Sequence, residues 1–449
     1  MVNRDKLKQV YSEELRLFDE LHKESIRRHE EAKGSLLLGV PLNWMVRYAG
    51  KVPISVVDSK GSYIKDADGI EYIDFNLGDT GSMVGHGPAP AAKVIAEMAY
   101  KGASFMLPTE DTTWNGFELQ RRFGLKYWQF ATSATDANRF AIRMARQITK
   151  RPKILVFNWC YHGTVDETIA TLTEDGQVIS RVGNIGPQID PSLTTKVVEW
   201  NDVQALEEAL KDEDVACVMA EPVMTNIGIV HPLPGFHDEL RRLTRKYGTY
   251  LLLDETHTIC AGIGGYTREY GLDPDIVVCG KTLAAGIPVG IYGFSEEFGN
   301  KIAAELDSLY GLVKGIGGTL AANALTMAAM RAVLSEVLTE EFYKRNIPLA
   351  DRFNDGVHET IREFNLPWST TKLGTRTEYW FSPEVAKNGS EAVSFRDFDL
   401  DWYMHLYCLN RGILMTPFHN MAIITSSTTE ADVDKHTAVF REAVSKIVD

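Results

Sequence analysis

Two residues near the middle of the chain have types that do chemistry together. Asp254 and Lys281 each follow a short apolar run, residues 250–253 and 276–279. A lysine in partly dry surroundings has a depressed pKa and forms a Schiff base with an aldehyde. A buried aspartate holds a ring nitrogen protonated. Together they offer a heteroaromatic aldehyde a covalent tether at one end and a counter-ion at the other. The two side chains must then meet. Apolar runs of this length, without polar alternation and closed by turn residues, suit strands buried on both faces of a parallel sheet. In such sheets chemistry sits just past the carboxyl ends of the strands, where Asp254 and Lys281 both fall. A lone lysine at a strand end is ordinarily solvated, so the surrounding motifs decide.

Four other stretches have matching chemistry. At residues 127–147 a strand runs into Thr132-Ser133-Ala134-Thr135 and a helix begins at once. A helix start offers unpaired N–H groups and positive dipole, a cup for a phosphate, although Ser and Thr also serve there as ordinary caps. Tyr161-His162-Gly163 follows another strand; Tyr161 is either a ring that stacks on a flat ligand or a core aromatic, and His162 either a ligand or base or a packed, hydrogen-bonded residue. Glu221 ends an apolar run and needs a partner if buried. Gly317-Gly318-Thr319 opens a small-residue helix, a second possible anion site. Gly262-Ile263-Gly264-Gly265 lacks the helix and distal acid of a dinucleotide loop. His257 and Cys260 have metal-like spacing without a second ligand pair.

The elements that would position these residues alternate strand and helix across 115–335, the pattern of an α/β domain with a mostly parallel sheet. Residues 1–114 read as an N-terminal segment, with one helix over 4–32 and a β-meander over 52–75. Residues 336–449 read as a smaller α+β lobe. The 449 residues carry a net charge of −14, which disfavours nucleic acid. Five scattered cysteines without a CxxC suit a reducing cytoplasm. No signal peptide is read, and no stretch approaches the roughly 18 apolar residues of a membrane span.

In order along the chain, these motifs resemble the class III aminotransferases of fold type I, from about residue 45 to the end. The resemblance implies pyridoxal 5'-phosphate as cofactor, on a mostly parallel sheet in a large domain, with a smaller α+β domain built from both termini. It implies that Lys281 tethers the cofactor and moves the proton, and that Asp254 faces the ring nitrogen. Ser133, Ala134 and Thr135 bind the phosphate, Tyr161 stacks on the ring with His162 beside it, Thr256 lies on the other face, and Glu221 braces the site. Gly318 and Thr319 reach the phosphate of a second subunit, which implies a homodimer. Arg47 and Arg411 are candidate carboxylate clamps. Ala134 and Ala321-Ala322-Asn323-Ala324 depart from the family's usual Gly and Ser-Gly-Asn-Pro.

Within the class two subgroups compete. The N-terminal half is similar to glutamate-1-semialdehyde aminomutases. Residues 410–420 resemble the β-amino acid aminotransferases, and a glutamate that the aminomutases usually carry is missing there. The expectation is a ping-pong transaminase that moves the amino group of an aromatic β-amino acid, β-phenylalanine-like, to 2-oxoglutarate or pyruvate. The alternatives are an aminomutase that needs no second substrate and a non-catalytic binding protein on the same fold.

Overall fold

The computed structural model describes residues 1–186, 189–309 and 314–449. Contacts divide the chain into two compact units, Ala89–Glu340 with Ala386–Ser394, and Met1–Pro88 with Glu341–Val385 and Phe395–Asp449.

The larger unit is built on seven strands: β1 (Tyr127–Ala131), β2 (Lys153–Phe157), β3 (Thr195–Val198), β4 (Val215–Ala220), β5 (Tyr250–Asp254), β6 (Ile276–Gly280) and β7 (Gly290–Phe294). Their spatial order is β1-β7-β6-β5-β4-β2-β3. Only β7 runs against the others, so the sheet is mostly parallel, as the apolar runs require. Every residue of β4, β6 and β7 is buried, because helices cover both faces of such a sheet. Helix α1 (Ala134–Thr149) starts directly at the carboxyl end of β1 and packs on β6, β7 and β4. Helix α2 (Ala324–Ala332) packs against the helices Ala89–Lys101 and Glu110–Phe123. That packing draws the unit's start at Ala89 rather than 115. Residues 386–394 also join this unit: Ser390 Oγ accepts from Asn158 Nδ2 (3.1 Å) and Lys387 O from Asn201 Nδ2 (2.7 Å).

The smaller unit uses both ends of the chain. Strands Val56–Lys60, Tyr63–Asp66 and Glu71–Asp74 form the expected meander, and Ile413–Leu414 joins its edge parallel to Glu71–Asp74. A second sheet holds Ser369–Leu373, Arg376–Trp380 and Met421–Ile423. Val2 bridges Val448, and the Asn3 N–H donates to the Ile447 carbonyl (2.7 Å). The single helix expected over 4–32 is two, Arg4–Leu21 and Lys23–Ala32. His22 breaks it: its fully buried ring meets Tyr72 Oη (2.8 Å) and the Phe18 carbonyl (3.0 Å), and its backbone leaves the helical region at φ −114°, ψ 41°.

Among the described residues no helix is long and apolar enough to cross a membrane.

Candidate functional site

β5 and β6 are neighbours in parallel register, with Asp254 opposite Val278. The Glu255 N–H donates to the Val278 carbonyl (2.7 Å), which extends the pairing to the strand ends. Asp254 and the turn bearing Lys281 therefore share one edge of one sheet. Lys281 sits at φ 56°, a left-handed conformation that costs an L-residue about 1–2 kcal/mol. Such strain collects where a side chain must be aimed. Its Nζ lies 2.9 Å from His257 Nε2.

Asp254 is buried at 4% exposure. Oδ2 accepts from Asn138 Nδ2 (2.9 Å) and His162 Nδ1 (3.0 Å), and Oδ1 from the Thr256 N–H (3.1 Å). Burial alone would lift this carboxyl; the His162 hydrogen bond and charge, with Thr256 and Asn138, hold it below its ordinary range. For His162, burial opposes the charge, but Cys160 and Asp254 raise it to about 10. Asp254 is thus an anion with three donors in place and lone-pair room left on Oδ1, as a protonated ring nitrogen requires. Asn138 is a contact of Asp254 that the sequence reading missed. Its position on α1, four residues on from Ala134, was the available signal.

The turn from β1 into α1 is built from close backbone approaches. Ser133 caps α1, its Oγ accepting the Asp136 N–H (3.1 Å). Gly290 lies opposite both Gly280 and Ala131 in the sheet. A Cβ on Gly290 would stand 2.1 Å from the Ser133 carbonyl oxygen, and one on Gly280 2.9 Å from the Ala134 Cβ. Gly163, at φ 77°, brings the loop after β2 against Thr135: its Cβ would meet Thr135 Oγ1 at 2.0 Å. Tyr161 in that loop is 40% exposed, so its ring stays accessible. The buried Thr256 Oγ1 and Glu221 Oε1 have no hydrogen-bond partner. Burial raises the Glu221 carboxyl, whose Oε2 accepts the Thr225 N–H (3.0 Å). Orphaned buried polar atoms, a held anion and an open helix start fit a flat phosphorylated aldehyde. Gly318 and Thr319 lie elsewhere in the same unit, in a cleft of about 460 Å³ with Ser104, Pro108 and Thr112.

The two arginines belong to the smaller unit and differ. Arg47 lies 4.2 Å over the Phe418 ring, which Trp44 meets edge-on at 6.0 Å. Burial pulls Arg47 below its ordinary value, and no carboxylate pairs with it among the described residues. Arg411 is corrected as a clamp. Its Nη1 and Nη2 each reach the Glu14 carboxylate at 3.0 Å, and its guanidinium lies 3.3 Å over the Tyr407 ring. The fork that would hold a substrate is already filled. Arg396, not singled out by the sequence, is another guanidinium lowered by burial, with Asp401 and Glu378 raising it and Arg47 opposing.

A family model described as Aminotransferase class-III matches residues 45–442. The chain is 32% identical over 403 residues to glutamate-1-semialdehyde 2,1-aminomutase 2 of Halalkalibacterium halodurans, covering 88% of this chain and 91% of that one. A crystal structure of a glutamate-1-semialdehyde-aminomutase lysine-to-alanine variant from Pseudomonas aeruginosa PAO1, in complex with PMP, is 43% identical with TM-score 0.97, covering 100% of both chains. A β-phenylalanine aminotransferase from Variovorax paradoxus superposes with TM-score 0.85 at 22% identity, covering 97% of both chains, a likeness of fold alone.

Proposed function

The chain belongs to the class-III aminotransferase family, and from that premise we propose that it moves an amino group between adjacent carbons of one small carboxylate-bearing substrate, as an aminomutase does. It is a pyridoxal-phosphate-dependent enzyme of aminotransferase type on a fold type I scaffold. Similarity over 88% to 100% of both lengths to proteins named glutamate-1-semialdehyde aminomutase supports this reading over the transaminase expected first. The observation that carries it in this chain is the set formed by Lys281, the His162–Asp254 pair and the unpartnered polar atoms of Thr256 and Glu221.

When bound, the cofactor supplies the electron sink that lets a proton leave the carbon bearing nitrogen. In this reading Ser133, Ala134 and Thr135 hold its phosphate at the start of α1, and Tyr161 covers one ring face with Thr256 on the other. Asp254, kept ionised and in place by His162 and Asn138, holds a proton on the ring nitrogen. Glu221 braces the site. Lys281 anchors the cofactor, then carries the proton from one carbon to the next. Arg47 takes the substrate carboxylate. A second copy of the chain completes the site through Gly318 and Thr319, so the species in solution is a homodimer, which sedimentation checks.

The second reading, transamination of an aromatic β-amino acid, is favoured by one feature: Phe418 and Trp44 give Arg47 an aromatic setting suited to an aryl substrate. One assay separates the two. Purified enzyme given glutamate-1-semialdehyde without any keto acid should form the isomeric amino ketone. Turnover only with β-phenylalanine plus 2-oxoglutarate or pyruvate would reverse the order of the two readings.

A further inference from the structure

Arg396 is used by nothing in the reading above. It is partly buried, yet it makes no hydrogen bond and no ion pair among the described residues. A guanidinium presents a planar fork of N–H donors and no acceptor, and such donors ordinarily find partners where water is scarce. Arg47, the more open of the two, is in the same position. Its contact with the Phe418 ring, at 4.2 Å, is made through the flat face and leaves the fork unfilled. The two arginines also feel each other: the charge of Arg47 weighs against that of Arg396. Like charges held close together are unfavourable unless an anion joins them.

Three consecutive residues tie both arginines to one place in the smaller unit. Phe418 carries Arg47 on its ring, and Trp44 meets that ring edge-on at 6.0 Å. His419 Nδ1 lies 3.5 Å from Glu378 Oε1. Asn420 Nδ2 donates to Asp401 Oδ1 (2.8 Å), and its Oδ1 faces His405 Nε2 at 3.2 Å. Glu378 and Asp401 are the acids whose charge favours Arg396. Each is turned to its own neighbour, and neither closes on the Arg396 fork. Phe418 holds this place at φ 88°, a conformation that a bulky residue keeps only when its surroundings impose it. Phe395, beside Arg396 in the chain, meets Trp380 edge-on at 6.3 Å, on the strand that carries Glu378.

We propose that Arg396 is a second carboxylate-binding residue of the site to which Arg47 belongs, and that the two guanidiniums hold one carboxylate between them. A carboxylate offers about four lone-pair sites. One planar fork takes half of them, and a second fork takes the rest. The bound anion offsets the repulsion between the forks. Glu378 and Asp401 hold Arg396 in place before the ligand arrives. Their charges already balance those of the two arginines, so the ligand class is a small monocarboxylate; a second carboxylate on the ligand would add negative charge with no cation to meet it.

The inference rests on Arg47 taking the substrate carboxylate, and the test separates the two. Pentanoate, which has no amine or keto group to react, is titrated into the full-length holoenzyme by ligand-observed NMR, beside pentanamide, its uncharged counterpart. The ratio of the two affinities is read, so that a change in pocket shape, felt by both, cancels. Wild type should prefer pentanoate. Arg396→Gln and Arg396→Met should each lower the ratio by roughly ten- to a hundredfold, the range for hydrogen bonds to a charged group, as should Arg47→Gln. If one uncharged variant at 396 does not fold, the other gives the same readout. Arg396→Lys keeps the charge without the fork and should stay low; full recovery there means that charge alone acts, and overturns the inference. Glutarate should bind wild type no tighter than pentanoate; tighter binding means a separate carboxylate for each arginine, and overturns it too. If the ratio falls in Arg47→Gln but not in the folded Arg396 variants, only the role of Arg396 is refuted. No preference in wild type, or one indifferent to Arg47→Gln, removes the reading of Arg47 along with it.

Discussion

Gly290→Ala tests whether the turn at Ser133 holds an anion. The added methyl would stand 2.1 Å from the Ser133 carbonyl oxygen, 2.4 Å from its carbon and 2.9 Å from the Ala134 nitrogen. Ordinary contact begins near 3.4 Å, so the turn must retreat by about 1.3 Å, the difference from 2.1 Å. Backbone atoms cannot rotate aside as a side chain can. Overpacking of this kind costs about 1–3 kcal/mol of stability. Displacing a binding group by about 1 Å costs on the order of a hundredfold, or about 2.8 kcal/mol of cofactor affinity. The assay is titration of cofactor-free protein with pyridoxal phosphate, followed by absorbance, beside thermal unfolding of the same samples. Gly116→Ala is the control: nothing lies within 4 Å of its new methyl, and alanine gains roughly 0.5–1 kcal/mol over glycine inside a helix. It should be slightly more stable and bind cofactor normally. If folded Gly290→Ala also binds with wild-type affinity, the start of α1 does not hold the phosphate.

Two further substitutions address what the structure reassigned or buried. Arg411→Ala should lower stability to urea by about 2 kcal/mol, since it leaves the Glu14 carboxylate, 6% exposed, with Asn410 Nδ2 (2.7 Å) but no cation, while Arg411 itself is a quarter exposed; a raised substrate KM at unchanged stability would return Arg411 to the site. His436 is fully buried against Phe353 (4.0 Å, stacked), with neither ring nitrogen hydrogen-bonded, and burial lowers it from 6.5 to about 3. Above pH 6.5 it is neutral whether the chain is folded or not, and its contribution is whole. As the pH falls from 6.5 toward 3 only the unfolded chain takes the proton, so stability drops, by roughly 2–3 kcal/mol at pH 4.5. His436→Phe should remove that part of the acid loss; an unchanged acid limb in denaturant titrations would count against it.

The strands that position Asp254 and Lys281 were legible because burial on both faces leaves only one pattern, an apolar run ended by a turn. The meander over 52–75 was legible through its turn residues. Less visible were features set by distant partners. Arg411 reads as a free guanidinium until Glu14, 397 residues away, is seen to hold it. His257 carried no role in the sequence, its spacing to Cys260 lacking a second ligand pair; its neighbour Lys281 comes from the next strand end. Strand Ser369–Leu373 carries Ser, Thr, Thr and Lys, a polar run that hides its pairing with Arg376–Trp380. The helix over 4–32 had a continuous apolar stripe, and only the burial of His22 shows why it bends.

The bridge between Val2 and Val448 has a bearing on how the chain is made. The smaller unit cannot close its hydrophobic core until residues 440–447 have left the ribosome, because Phe440, Val444 and Ile447 pack with Leu7 and Phe75. Residues 1–88 must then wait until Phe440 and Val444 have been made, on the order of twenty to seventy seconds at 5–20 residues per second. The stretch 89–340 is available for folding much earlier. During synthesis the amine-bearing sheet edge can therefore take shape first, and nascent chains arrested before residue 440 should resist protease there while residues 1–88 are still cut.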